Sequence, residues 1–95
     1  MADNSSKTTT DHDEIKQWAE ARDAKPAHVE GTARDGEDVG LIRLDFPGYT
    51  GDKLETIEWD QWFDKFDKEK LALLYQEETS DGDKSNFNKL VSRDD

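Results

Sequence analysis

The 95-residue chain contains no cysteine. Disulfide bonds, thiolate metal sites and a cysteine nucleophile are therefore excluded, and this absence fits a reducing cytoplasm. No segment approaches the roughly 20 consecutive apolar residues that a membrane-spanning helix needs. The polar stretch from Met1 to Thr10 also lacks the apolar core of a signal peptide. We therefore expect a cytoplasmic protein that does not enter a membrane.

Basic residues are few: 13 Lys and Arg stand against 24 Asp and Glu, which gives a formal net charge of -11. The acidic residues occur along the whole chain rather than in one tail. Direct binding of nucleic acid requires a basic stripe, and the sequence has none, so we expect no nucleic-acid partner. The charge either serves solubility or indicates an as yet unknown protein partner with a basic surface.

Apolar residues are also scarce, at 32% of the chain, which is low enough to raise the question of disorder. However, three Trp, four Phe and two Tyr are present, and most of them lie in the second half with Leu, Ile and Val. We therefore predict a disordered N-terminal tail over residues 1–10 and a single domain over residues 11–92.

Two segments have helical periodicity. The first runs from about Asp11 to Ala24, with Thr10 or Asp11 as its N-cap and Pro26 ending it. The second runs from Trp59 to Lys70 with Glu58 as its N-cap. Its aromatic residues recur at positions i, i+3, i+4 and i+7, as expected for a buried helix face. They are Trp59, Trp62, Phe63 and Phe66.

Four segments are predicted to be strands. Ala27 to Thr32 and Gly40 to Phe46 form an antiparallel hairpin, since apolar residues alternate with polar ones in the second of them. Leu71 to Gln76 and Asn86 to Val91 form a second pair around the Asp81-Gly82 turn. The order is α-β-β-α-β-β. We predict the α+β class: a small, mostly antiparallel sheet with two helices on one face.

No catalytic constellation is recognisable in the sequence. There is no nucleophile–base pair, no glycine-rich phosphate loop and no zinc pattern, so we expect no catalytic residue, metal site or cofactor. His12 is interpreted as part of a helix cap, and His28 is expected to face solvent without an acid–base partner. Two groups of acidic residues are expected to be solvated surface: Asp60, Asp64 and Asp67 on the second helix, and Glu77, Glu78, Asp81 and Asp83 at the last turn.

The loop from Pro47 to Lys53 is the candidate contact surface. Tyr49, between Gly48 and Thr50, is its best single candidate, because a loop aromatic can supply both an apolar face and a hydroxyl. Pro47, Gly48 and Lys53 are assigned to the same surface. Tyr49 either contacts a partner or folds back over the edge of the core.

Several segments resemble a family of small, acidic bacterial proteins of about this length. They are Thr9–Ile15, Trp18–Glu20, Lys25–Ala27, Gly31–Thr32, Arg43–Tyr49, Trp59–Phe66, Leu74–Gln76 and Phe87–Val91. Some members of that family carry the label 1,4-alpha-glucan branching enzyme. Branching enzymes are built on a (β/α)₈ barrel, which needs about 250 residues. The resemblance therefore implies at most an accessory carbohydrate-binding role. The family has Gly-Gly where this chain has Asp23-Ala24, which leaves the end of the first helix without a glycine cap.

Three functions are consistent with these patterns. The leading hypothesis is a non-catalytic binding or interaction module. The second is an acidic regulator or mimic that binds a basic protein surface, which would place carboxylates in rows on one face. The third is carbohydrate binding, which would require Trp18, Trp59 or Tyr49 to face solvent as a platform.

Overall fold

The computed structural model describes residues 6–48, 53–79 and 81–93. Within these residues two helices and six strands form an α+β fold. The elements are β1 (Ser6–Thr9), α1 (His12–Glu20), β2 (Lys25–Val29), β3 (Ile42–Asp45), β4 (Leu54–Thr56), α2 (Trp59–Lys68), β5 (Leu71–Gln76) and β6 (Asn88–Ser92).

The strands form two antiparallel sheets of three, ordered β1-β5-β6 and β3-β2-β4. The predicted single sheet is therefore divided, while the predicted antiparallel pairs β2–β3 and β5–β6 are both present. Strands β1 and β4 were not predicted. Both are short and largely exposed, so they pair through backbone hydrogen bonds and leave little apolar pattern in the sequence.

The N-terminal segment differs from the predicted disordered tail. Ser6–Thr9 pair with β5 in the register Ser6 to Gln76 and Thr9 to Leu73. Residues 1–5 of the predicted tail lie outside the described residues. A Ser/Thr-rich segment looks like a linker in the sequence, but Thr favours strands once a neighbouring edge is available.

Pro26 lies in β2, the central strand of its sheet, rather than just beyond a helix. Its carbonyl accepts a hydrogen bond from the Ile57 N–H at 2.9 Å, so its backbone polar atoms point toward β4. That contact lies just past the end of β4 at Thr56. The proline therefore leaves the hydrogen bonds between β2 and β3 intact, which explains why a central strand tolerates it.

Helix α1 ends at Glu20, earlier than predicted, and it does so without glycine. Asp23 adopts a left-handed conformation with φ of 57°, and the Ala24 N–H donates to the Ala19 carbonyl at 2.9 Å. This is the hydrogen bond of a Schellman motif. Asp is one of the few residues other than glycine that visit this conformation readily.

Helix α2 begins at Trp59 with Glu58 as its N-cap, as predicted. The Glu58 N–H donates to the side-chain oxygen of Gln61 at 3.0 Å, one of the two bonds of a capping box. Lys70, with φ of 52°, reverses the chain into β5. The buried face of α2 contacts β2, β3 and β5, and so lies against both sheets.

The core lies between the helices and the two sheets. Its fully buried large side chains are Ile15, Trp62, Phe66, Leu73 and Tyr75. They come from α1, α2 and β5. The aromatic stripe of α2 therefore joins the sheets into one packed unit.

Candidate functional site

The predicted contact loop begins and ends at fixed positions. At its start Phe46 packs edge-on against Trp18, with ring centroids 5.8 Å apart. At its end the carbonyl of Lys53 accepts the N–H of Glu30 at 3.0 Å. Pro47, Gly48 and Lys53 are exposed. Tyr49, the best single candidate, lies outside the described residues together with residues 50–52.

A cleft of about 500 Å³ adjoins the start of this loop. It is lined by Asp23, Lys25, Asp45, Phe46, Pro47 and Gly48. Lys25 and Asp45 are register partners on β2 and β3, so the wall carries charges of both signs. Gly48 has φ of 83°, which lets the chain turn beside the cleft. Such a surface can bind a polar segment of a partner, since it offers both donors and acceptors around an aromatic edge.

His28 is buried and fully hydrogen-bonded, so the expectation that it faces solvent without a partner is wrong. Only 6% of its surface is exposed. Its Nδ1 accepts the N–H of Gly40 at 2.8 Å, and its Nε2 lies 2.8 Å from a carboxylate oxygen of Glu55. Because a backbone N–H only donates, the ring proton is on Nε2 and points at Glu55. The sequence hid this because β2 proves to be a central strand, with β3 and β4 on its two sides.

The loop that follows His28, residues 30–41, closes at a narrow neck. The Thr32 hydroxyl donates to the Val29 carbonyl at 2.6 Å and accepts the Leu41 N–H at 2.8 Å. A Cβ atom at Gly40 would lie 2.0 Å from that hydroxyl oxygen and 2.7 Å from the Ala33 nitrogen. Only glycine fits this position. Because His28 accepts the Gly40 N–H, it stabilises the point where the two ends of the loop meet.

Two lysines of α2 hold the far end of the same loop. The Nζ atoms of Lys65 and Lys68 lie 2.9 and 3.1 Å from one carboxylate oxygen of Glu37. These hydrogen bonds, that of Lys65 foremost, lower the pKa of Glu37 to about 2. The Lys65 side chain is only 9% exposed. Sequence reasoning missed this cluster, although Lys65 lies three residues after Trp62 and so borders the buried stripe.

His12 joins the two helices rather than capping one. The helix cap is the Asp11 carboxylate, which accepts the Glu14 N–H at 3.2 Å. The His12 ring stacks on Phe63 with centroids 4.1 Å apart, and its Nε2 lies 3.0 Å from Asp67. The other oxygen of Asp67 accepts from Arg93 at 3.1 Å.

The three carboxylates of the row on α2 are all exposed, as predicted. Asp67 differs from Asp60 and Asp64 because it has two partners, His12 and Arg93. Partial burial raises the pKa of Asp67, but the hydrogen bonds from His12 and Arg93 outweigh that effect and leave the pKa below its usual value. These contacts leave Asp60 and Asp64, but not Asp67, in the row of carboxylates that could face a partner.

The tryptophans do not form an exposed platform. Trp18 is 5% exposed, its ring N–H donates to the Gln76 carbonyl at 3.1 Å, and the Arg22 guanidinium lies 4.3 Å above its ring. Trp59 is half-buried and stacks on Phe63 with centroids 5.3 Å apart. Tyr49, the third candidate for such a platform, lies outside the described residues.

A second buried hydrogen bond links Tyr75 of β5 to Glu14 of α1. Burial, together with the neighbouring Glu14 carboxylate, raises the pKa of Tyr75 to about 12. The Glu14 carboxylate also accepts the Thr9 hydroxyl at 2.6 Å. The phenol is therefore a donor that fixes α1 on the β1-β5-β6 sheet.

Metal-binding geometry is not found in the described parts of the chain: no group of three or more His, Asp or Glu side chains there is placed to hold an ion. The last turn is a polar turn, as expected. There the Thr79 N–H donates to the Asp83 carbonyl at 2.7 Å, and Gly82 has φ of 89°. None of the helices formed by residues 6–48, 53–79 and 81–93 has the length and apolar character to cross a bilayer.

No protein-family model, curated protein or solved structure matches this chain.

Proposed function

We propose that this chain is a cytosolic, non-catalytic binding module that contacts a protein partner through the loop from Pro47 to Lys53 and the cleft beside it. One observation carries the proposal: both ends of the loop are anchored on the fold, while Pro47, Gly48 and Lys53 are exposed next to a cleft of about 500 Å³. A loop presented by a rigid scaffold is the usual position of a contact surface.

Both histidines and Tyr75 are engaged within the fold, which supports binding over catalysis. Both ring nitrogens of His28 are hydrogen-bonded, and His12 is stacked on Phe63 and paired with Asp67. The Tyr75 hydroxyl donates to Glu14. A general base needs a free nitrogen or oxygen within reach of its substrate. These residues therefore act as links between elements of the fold.

The partner surface we propose is mixed in charge with a basic component. Asp23 and Asp45 supply two carboxylates to the cleft against the one ammonium of Lys25. A basic side chain of the partner would therefore find acceptors there, and an aromatic residue such as Tyr49 can add apolar contact area.

An acidic regulator of a basic protein is the second candidate, supported by the net charge of -11 and by the exposed Asp60 and Asp64 on α2. The pairing of Asp67 with His12 and Arg93 shortens the row of carboxylates that such mimicry would use. Carbohydrate binding has less support, because Trp18 is buried.

The test is affinity capture from a lysate of the source organism with the tagged full chain, compared with Tyr49→Ala. Phe87→Ala is the matched control, because Phe87 is an exposed aromatic outside the loop, with 48% of its surface accessible. We expect a partner retained by the original chain and by Phe87→Ala, but reduced about tenfold or more with Tyr49→Ala, the loss of about 1.4 kcal/mol or more that removal of a central contact causes.

Two other outcomes would contradict the proposal that this loop is the contact surface. A set of basic proteins that all three baits retain equally, and that salt releases, would favour the acidic regulator. Equal loss with both alanine variants would show that the loss is not specific to Tyr49 and its loop.

A further inference from the structure

Strand β6 has an open edge in the described part of the chain, since its sheet is ordered β1-β5-β6. With five residues, Asn88–Ser92, β6 is longer than each of the other edge strands, β1, β3 and β4. They include no proline. An open edge of this length is a template for another strand unless something covers it.

The hydrogen bonds at the two ends of β6 show which of its backbone N–H and C=O groups face outward. The Phe87 carbonyl accepts from the Gln76 N–H, and the Arg93 N–H donates to the Lys70 carbonyl at 2.7 Å. Odd-numbered residues therefore bond to β5. In an antiparallel ladder the alternate residues point the other way. The backbone N–H and C=O groups of Asn88, Leu90 and Ser92 thus face away from β5.

On the outer edge of β3, one backbone carbonyl is occupied by a side chain. The Val29 N–H donates to the Leu41 carbonyl, so the Ile42 carbonyl points away from β2. The guanidinium of Arg43 donates to that carbonyl at 2.9 Å. Between the two edges lies a cleft of about 290 Å³ lined by Arg43, Asn88, Lys89 and Leu90.

Both ionisable side chains that line this cleft are cations, although the chain as a whole carries a charge of -11. We propose that the open edge of β6 binds an extended acidic segment of a partner protein as an added β-strand. The outward backbone groups of Asn88, Leu90 and Ser92 supply the ladder, and Lys89 and Arg43 select acidic side chains. Charges farther away are screened within about 8–10 Å at physiological salt, so the local cations decide.

The same cations disfavour a second copy of this chain as the occupant. Pairing two β6 edges would bring the Lys89 and Arg43 side chains of one copy near those of the other, and like charges that meet across an interface are unfavourable. This inference does not depend on the contact loop, because the cleft at β6 shares no lining residue with the cleft at Pro47.

The probe is a fluorescein-labelled peptide of sequence Glu-Val-Glu-Thr-Glu-Val, followed by anisotropy with the full chain. Its Lys-Val-Lys-Thr-Lys-Val counterpart is the charge control. An acidic peptide with N-methyl groups on alternate residues is the backbone control, since it cannot complete the ladder. We expect binding of the acidic peptide only.

Charge reversal at the cleft provides the second arm. Lys89→Glu should weaken the acidic peptide about fivefold or more, as expected when an attractive exposed pair becomes repulsive, and should admit the lysine peptide. Lys16→Glu is the matched control, because Lys16 is exposed on α1 and does not line the cleft. Equal effects of the two variants would overturn the proposal.

Amide hydrogen exchange locates the contact. In the free protein the amides of Asn88, Leu90 and Ser92 should exchange fast, and saturating acidic peptide should slow them about tenfold or more. Unchanged exchange at these amides would overturn the proposal. So would protection that appears without peptide and rises with protein concentration, because it would assign the edge to self-pairing.

Discussion

Tyr75 is a buried aromatic residue, 2% exposed, and its side-chain hydroxyl is hydrogen-bonded. Its hydroxyl donates to Glu14, whose carboxylate also accepts the hydroxyl of Thr9. Three elements, β1, α1 and β5, therefore meet at one carboxylate. Burial disfavours the ionised phenol, which also could not donate to Glu14 and would lie beside a like charge, so folding favours the neutral phenol and raises the pKa of Tyr75.

We predict that this link makes the protein sensitive to alkali. The pKa of Tyr75 rises from 10.0 to about 12 on folding. The stability that Tyr75 contributes is therefore complete below pH 10 and is lost as the pH rises through 12. Tyr75→Phe should cost about 1.5–3 kcal/mol at neutral pH, the range for a hydrogen bond to a charged group. The difference between the two proteins in urea unfolding should shrink from pH 10 to pH 12.

A difference that stays constant over that range would contradict the link between Tyr75 and Glu14. Glu14→Gln offers a check from the other partner, because it keeps an acceptor for the phenol and removes the charge beside it. The variant should titrate Tyr75 at a lower pH, as measured by the absorbance of tyrosinate.

Individual buried polar residues were the part of the site that sequence could not give. His28 and Lys65 look like surface residues in the sequence, since one lies in a short polar strand and the other among Asp residues. The partners of His28 are Gly40 and Glu55, and the partner of Lys65 is Glu37. These residues are brought together only when the β2–β3 loop and its sheet are folded. Periodicity reports which face of an element is apolar, and it carries no information about partners so distant along the chain.

Each helix is followed by a residue other than glycine that has a positive φ. These residues are Asp23 after α1 and Lys70 after α2. Asp tolerates this conformation through its short polar side chain, whereas Lys has no such compensation. The turn at Lys70 is nevertheless fixed, because its N–H donates to the Asp67 carbonyl and its carbonyl accepts from Arg93.

We therefore expect Lys70→Gly to stabilise the fold by about 0.5–1 kcal/mol, because glycine adopts this conformation without a steric penalty. The gain is measured as a shift of the urea midpoint at unchanged slope. The matched control is Asp64→Gly at an exposed interior position of α2, which should destabilise by about 1 kcal/mol. Destabilisation by both substitutions would show that the loss of chain entropy outweighs the relief at Lys70.

Elements with their own hydrophobic pattern were predicted well. Helix α2 begins at the predicted residue, and β5 has the predicted bounds. Strands β1 and β4 were missed because pairing with a neighbour, rather than their own side chains, makes them strands. Helix α1 was predicted to end four residues too late, since nothing in the sequence reveals that Asp23 turns left-handed.

At the scale of the whole molecule, the charge of -11 acts against compactness near neutral pH. Local clusters act in the opposite sense. Lys65 and Lys68 hold Glu37, and His12 and Arg93 hold Asp67, so each cluster places two side chains with nitrogen donors against one carboxylate. Acidification first relieves the general repulsion and then removes these specific attractions.

We predict a loss of stability in acid that depends on Glu37. The pKa of Glu37 falls from 4.5 to about 2 on folding. Its contribution is therefore complete above pH 4.5 and is lost as the pH falls through 2. The stability difference between the original chain and Glu37→Gln should shrink across that interval, as followed by urea unfolding.

Glu20→Gln is the control for this titration, because Glu20 is exposed at the end of α1 and makes the same change of charge. Its effect should stay small and vary little between pH 4.5 and pH 2. A Glu37→Gln curve that runs parallel to that of Glu20→Gln would contradict the role of the lysine pair.

The register of β1 on β5 has a consequence for how the chain becomes folded. The β3-β2-β4 sheet joins segments that are close in sequence, whereas the other sheet pairs Ser6 with Gln76. Closing so long a loop costs entropy before any contact rewards it, and such pairings slow folding. On a ribosome, β1 must wait for β5 to emerge, so the β1-β5-β6 sheet is completed last and its edges are exposed longest.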